Sequence, residues 1–270
     1  LDSTEEFLTR NLLRRKRNGK TGSSIKANRY ELEAMLNKSD KPIQEISVYD
    51  RRRYLAHGKI NRHWADRTYN TKLIMIRSFF SWLYQEDLIT QNPAKKLKET
   101  KIEHRIGSTI TPEQREIVRC SCKDERELAI CDLLYTSGIR VSELCGLNRR
   151  DLDFTSMKAI VYGKGRKERE VYFTGQAAVH LRKYLEKRTD DNEALFVGIN
   201  KPHDRLSPGA VRDILKNVKK RDDNVKDIRL TPHTFRRSMG TDMINRGAPL
   251  ELVAEVLGHT QLDTTRQCYA

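Results

Sequence analysis

Residues 158–173, KAIVYGKGRKEREVYF, interrupt a sequence whose apolar residues otherwise recur at helical spacing. Short β-branched and aromatic runs flank a Gly163-Lys164-Gly165 turn, the pattern of an antiparallel hairpin. Upstream, Thr111-Pro112-Glu113 places an N-cap, a proline at the first helical position and an early acid in order, predicting a helix over 112–121. A second helix, from Asp124 to Ser137, is so apolar that it belongs at the centre of a core, and Gly138 stops it. Downstream, helices are predicted over 175–188, 208–220 (Ser207 cap, Pro208 at the first position), 232–246 and 249–257. The fold class that follows is mainly α with one small antiparallel sheet.

The first hundred residues carry no strand pattern. Ser3-Thr-Glu-Glu6 reads as a capping box opening a helix over 4–17, before Asn18-Gly19. A second helix starts after Ser23 or Ser24, and Ser47 caps a third from Val48 to His57, which Gly58 is expected to stop. A fourth, from Thr68 to Glu86, has Tyr69, Leu73, Ile76, Phe80 and Leu83 on one stripe. Phe79, Phe80, Trp82 and Tyr84 on that helix read as packing residues rather than a base-stacking platform. Asn92-Pro93 closes the region, and the polar stretch that follows reads as a linker. The expected organisation is a four-helix domain over 1–94, a linker over 95–108 and a second domain over 109–270.

Charge narrows the partner. Among 270 residues, 52 Lys and Arg face 37 Asp and Glu, a net charge of +15. Residues 1–106 hold 23 of those cations and 13 of the acids, so a net +10 sits in the smaller part. Such an excess favours a polyanion, because each cation set on a phosphate releases condensed counterions. Its basic residues cluster at helix ends and loops, and Arg14, Arg15, Lys26, Arg51, Arg67 and Lys72, with Arg166 on the hairpin, are the candidate DNA contacts. Five cysteines without zinc-site spacing read as reduced thiols in a cytosolic protein. No apolar run approaches the roughly 18 residues of a membrane span, so no membrane partner is expected. The chain begins at Leu1 without methionine, and the expectation is that a segment preceding it has been removed.

The residues able to do chemistry lie far apart in sequence. Arg140 follows the glycine that ends the apolar helix, where its guanidinium could fork onto two phosphate oxygens or pair with Glu143. Lys164 occupies a hairpin tip, a place where a solvated lysine is also common. His233 and Arg236 stand three apart at a helix start and share a face, His259 follows Gly258, and Tyr269 nearly ends the chain. Singly, each is an ordinary surface or packing residue. Together they suit attack at a phosphodiester: arginines on the non-bridging oxygens, lysine protonating the leaving oxygen, histidines donating to the phosphoryl group or moving a proton, and Tyr269 as nucleophile. No cofactor or metal is needed, since the cations supply the charge stabilisation, and no carboxylate cluster suited to magnesium is evident.

TSGIRVSELCGL (Thr136–Leu147), GKGRKER (Gly163–Arg169), HTFR (His233–Arg236), LGH (Leu257–His259) and Tyr269 closely resemble the tyrosine recombinase, or phage integrase, family, in its order. Arg77-Ser-Phe-Phe-Ser-Trp82 and Asn92-Pro93 resemble the end of its SAM-like helical core-binding domain. The likeness implies that Arg140 and Arg236 bind phosphate, that Lys164 is the general acid, that His233 and His259 are the two histidines, and that Tyr269 is the nucleophile. It further implies a C-shaped clamp of two domains on double-stranded DNA with inverted-repeat core sites and a covalent 3′-phosphotyrosyl intermediate. A homotetramer on two duplexes, one dimer per site, would exchange strands through a Holliday junction, with accessory or directionality proteins as further partners. Family members usually continue past the tyrosine into a segment that docks on a neighbouring protomer; here Ala270 alone follows, so removal of that tail is expected.

Phage integrases, transposon integrases and chromosome-dimer resolvases share these motifs, and the start without methionine favours a mobile-element integrase. A type IB topoisomerase shares the chemistry, but the integrase-like helical domain and the HTFRR and LGH segments speak against it. A catalytically silent DNA-binding protein is disfavoured because all six catalytic positions hold competent residues.

Overall fold

Local capping sets most of the element boundaries in the computed structural model, which describes residues 2–39, 41–102, 107–163, 168–258 and 265–266. The chain falls into two compact units, Leu1–Glu103 and His104–Ala270.

The first unit contains α1 (Asp2–Arg17), α2 (Gly22–Leu36), α3 (Val48–Ile60) and α4 (Asp66–Gln85), with a short 3-10 turn at Ile43–Glu45. Thr21, rather than Ser23 or Ser24, caps α2, and Ser47 caps α3 in a reciprocal box with Asp50. The α4 stripe of Leu73, Ile76, Phe80 and Leu83 is buried, joined by Phe7 and Leu8 of α1, Leu32 and Met35 of α2, and Leu55 of α3. Phe79 and Trp82 are also buried, whereas Tyr84 is half exposed.

Gly58 does not stop α3, which continues to Ile60 with Asn61 as its C-cap. A Cβ at position 58 would lie 2.2 Å from the Trp64 ring, so this glycine makes room for an indole rather than ending a helix. The start of the polar stretch after Pro93 is packed: Ala94 and Leu97 are buried, and Asn70 holds both the amide and hydroxyl of Thr100.

The second unit contains α5 (Pro112–Cys120), α6 (Glu125–Ser137), α7 (Val141–Gly146), α8 (Gly175–Glu186), α9 (Pro208–Arg221), α10 (Pro232–Asn245) and α11 (Leu250–Leu257). Its antiparallel sheet, in the order β1 (Leu152–Asp153), β2 (Lys158–Tyr162), β3 (Glu168–Tyr172), pairs Ala159 with Val171 and Val161 with Arg169. Ala159, Val161 and Val171 face the core, and Ile160, Tyr162 and Tyr172 face out, the alternation of a one-sided sheet. As its composition demands, α6 is the central helix, buried along most of its length and packed on α8 and α10. It ends at Gly138, whose φ of 56° is left-handed. Neither α7 nor β1 was expected as an element. The fold is thus mainly helical with a small antiparallel sheet.

Candidate active site

The left-handed turn at Gly138 throws the chain out of α6 and leaves Arg140 as the N-cap of α7. Glu143, one turn into α7, reaches back: its Oε2 accepts the Arg140 backbone N–H at 2.9 Å, and its Oε1 accepts Nη1 of the same arginine at 2.7 Å. Arg140 thus pairs with Glu143, the salt bridge its position suggested, while its side chain stays 38% exposed. The other guanidinium nitrogen, Nη2, donates to the carbonyl of Gly258 at 2.7 Å.

Arg236 arrives from the first turns of α10 and is buried. It donates to the Gly138 carbonyl from Nη1 at 2.5 Å and to the Leu257 carbonyl from Nη2. Arg169, on β3, completes the set: Nη1 donates to the Val256 carbonyl and Nη2 to Glu143 Oε2, both at 2.7 Å. Three successive carbonyls at the C-terminus of α11 thus each accept from a different arginine. A helix C-terminus carries orphan carbonyls and partial negative charge, so three guanidinium groups satisfy both demands. Gly258 closes the helix at φ 63°, and a Cβ there would come within 2.9 Å of Arg169.

Glu143 is nearly sealed from water and serves two arginines. Burial alone would raise its pKa, but the Arg140 backbone and side-chain hydrogen bonds and the Arg169 charge outweigh it, leaving the carboxyl below its ordinary value. His233, exposed in the first turn of α10, has its pKa lowered by partial desolvation and by the charges of Arg237, Arg236, Arg229 and Arg140. The shift favours the neutral imidazole, whose two ring nitrogens can donate and accept a proton.

The model of the phage integrase family matches residues 95–270. The chain belongs to that family, the tyrosine recombinases. Tyrosine recombinase XerC of Thermodesulfovibrio yellowstonii is 33% identical over 262 residues, covering 92% of this chain and 85% of the relative. XerA of Pyrococcus furiosus is 31% identical over 252 residues, covering 92% and 83%. Among solved structures, the Tn1549 transposon integrase in complex with circular intermediate DNA aligns with a TM-score of 0.80 at 18% identity, covering 99% of this chain and 94% of that one. A lambda integrase dimer bound to a COC′ core site aligns at 0.78 and 16%, covering 98% and 77%. These two establish likeness of fold.

Of the six site residues expected from sequence, Arg140, His233 and Arg236 are described, and Arg140 and Arg236 converge on the end of α11. Lys164, His259 and Tyr269, with the candidate contact Arg166, lie outside the described residues. Glu143 and Arg169 hold the cluster together and were not singled out beforehand as site residues.

The candidate DNA contacts of the first unit divide by exposure. Lys26 and Arg67 are exposed. Arg14 lies over the Trp82 ring at 5.4 Å, and Arg15 beside it is half buried, its pKa lowered by burial and by the Arg14 charge. Lys72 pairs with the buried Glu31 and lies 5.6 Å from the Trp64 ring centroid. Arg51 is buried in the unit.

Proposed function

We propose that this chain is a site-specific DNA recombinase that cleaves and rejoins DNA through a covalent 3′-phosphotyrosyl intermediate. The convergence of Arg140 and Arg236 on the carbonyls of Gly258 and Leu257 carries the reading, because it brings together, at the end of α11, two guanidinium groups that are 96 residues apart in sequence. In the proposed step the Tyr269 phenolic oxygen attacks the scissile phosphorus. Arg140 and Arg236 offset the charge growing on the non-bridging oxygens, His233 or His259 takes the phenol proton, and Lys164 protonates the departing 5′ oxygen. Attack by a 5′-hydroxyl of another strand then reverses the ester and releases the tyrosine.

The same reading assigns residues 1–94 to core binding on double-stranded DNA, 95–108 to a linker and 109–270 to catalysis. Inverted-repeat core sites bound by one dimer each, and a homotetramer joining two duplexes through a Holliday junction, follow from it, with accessory or directionality proteins as further partners. XerH bound to palindromic difH substrate, aligned with a TM-score of 0.71, supports symmetric DNA as the substrate, and the lambda integrase dimer on a core site supports one dimer per site.

A suicide duplex nicked near the scissile phosphate tests the chemistry. The unaltered chain should form an adduct that survives a denaturing gel, and Tyr269→Phe should bind the duplex equally well without forming one. An adduct in the variant would exclude Tyr269 as the nucleophile. Cleavage should persist in excess EDTA, since cationic side chains supply the charge stabilisation; activity lost in EDTA and restored by magnesium would remove that mechanism.

A further inference from the structure

Arg51 presents a problem that strand cleavage does not solve. It lies on α3 with 1% of its surface exposed, and its Nε and Nη1 are buried without a hydrogen-bond partner. The adjacent carboxylate makes no hydrogen bond to it, although its charge favours the guanidinium: Asp50 accepts the Ser47 amide and hydroxyl and pairs with Lys41 at 3.2 Å. The Arg51 guanidinium lies over the face of Phe80, 5.4 Å from the ring centroid. An arginine stays charged even where burial lowers its pKa to about 10, as it does here, so the cation persists at neutral pH. Buried charges are normally paired, and buried donors normally bonded.

A cavity of about 240 Å³ adjoins Arg51, lined also by Lys38, Ser39, Asp50, Arg53 and His57. The Ser39 hydroxyl is a second buried polar group without a partner. Among the described residues three cations, Lys38, Arg51 and Arg53, line the cavity with one carboxylate, Asp50, and unused donors come from both Ser39 after α2 and Arg51 on α3, so the site lacks an acceptor-rich anion. A neutral occupant would add no counter-charge to a lining in which Asp50 is already paired with Lys41. A phosphate group offers several oxygens to donors from separate segments and matches the guanidinium fork.

We propose that the first unit holds a recessed oxyanion site, built from Arg51 and Ser39 with Lys38 and Arg53 at its rim, that takes a phosphate group. The site stands independently of the strand-cleaving residues. A DNA backbone phosphate and free phosphate share this chemistry, and the test separates them.

The whole chain is titrated with inorganic phosphate and, at matched ionic strength, with chloride and acetate, following the thermal midpoint and the Arg51 Nε–H resonance. Phosphate should raise the midpoint and shift the resonance where chloride and acetate do not, and Arg51→Met should abolish the effect. Should Arg51→Met fail to fold, Ser39→Ala keeps the guanidinium and should weaken phosphate binding by about 10-fold, one charge-assisted hydrogen bond. If the natural occupant is a backbone phosphate, a bound duplex removes the response to free phosphate; if it is a free phosphate, the response survives in the complex. Equal responses to phosphate and chloride, or a phosphate response unchanged in Ser39→Ala and in any folded Arg51→Met, would overturn the proposal. None of these readouts depends on adduct formation, so the site and the cleavage reading stand or fall separately.

Discussion

Glu143 binds two arginines from different elements with one buried carboxylate. Removing such a partner leaves buried positive charge uncompensated, so Glu143→Ala should cost about 3 kcal/mol, at the lower end of the range because Arg140 retains solvent. Glu143→Gln keeps the shape and loses the charge. Because the folded pKa of Glu143 is lowered, its contribution is full above the unfolded carboxyl value of about 4.3 and drains as pH falls through the folded value. The stability gap between the unaltered chain and Glu143→Gln, measured by denaturant melts, should therefore be wide near pH 7 and close in acid. A gap independent of pH would show that the charge of Glu143 does not hold the pair. The local bond between Arg140 and Glu143 was legible in the sequence as a pair of opposite charges three residues apart, although the helix start that holds it was not. The bonds from Arg140 to Gly258 and from Arg169 to Val256 were not, since they span 118 and 87 residues and depend on how α7, β3 and α11 pack. The buried state of Arg51 left a trace: Arg51, Leu55 and Gly58 recur at one face of α3, and all three are buried. Lys72 likewise flanks the α4 stripe, three residues after Tyr69 and four before Ile76.

At the scale of elements, the end of α11 is where the site is assembled, and Gly258 is the position that tests it. Alanine there meets two separate costs, a left-handed φ of 63° and a Cβ within 2.9 Å of the Arg169 side chain. Gly247 is the internal control, with φ 84° and nothing within 4 Å of the place a Cβ would take. Gly247→Ala should lose about 1 kcal/mol from backbone strain alone. Gly258→Ala should lose more, and only it should slow adduct formation, by about 10²-fold if the arginines shift by an ångström. Equal effects of the two substitutions on adduct formation would separate the arginine cluster from catalysis. Most helices were legible because their caps are local chemistry: Ser47, Thr111, Asp124, Ser207 and Thr231 each accept from a backbone amide of the first turn. The two-residue β1 and six-residue α7 were not, being too short to show a period. Gly58 misled because a glycine that admits a ring and a glycine that stops a helix look alike in sequence.

For the molecule as a whole, the net charge of +15 sets how DNA binding should respond to salt, but formal charge overstates the number of phosphate contacts. Lys72 is already paired with Glu31, and Arg188 and Arg221 with Asp190 and Glu127. Cations held in this way release no counterions on binding, whereas exposed Lys26 and Arg67 can. The logarithm of duplex affinity should fall linearly with the logarithm of salt concentration, with a slope of about −0.9 for each phosphate neutralised. Lys26→Ala and Arg67→Ala should each flatten that slope by about 0.9, with little effect on thermal stability. Lys72→Ala should do the reverse, leaving the slope intact and lowering stability, because it strands the buried carboxylate of Glu31. Fluorescence anisotropy across a salt series, paired with thermal melts, distinguishes these patterns. A slope that flattens in Lys72→Ala as much as in Arg67→Ala would mean that this lysine leaves Glu31 to reach DNA, and that the ion pair is a resting contact exchanged for a phosphate.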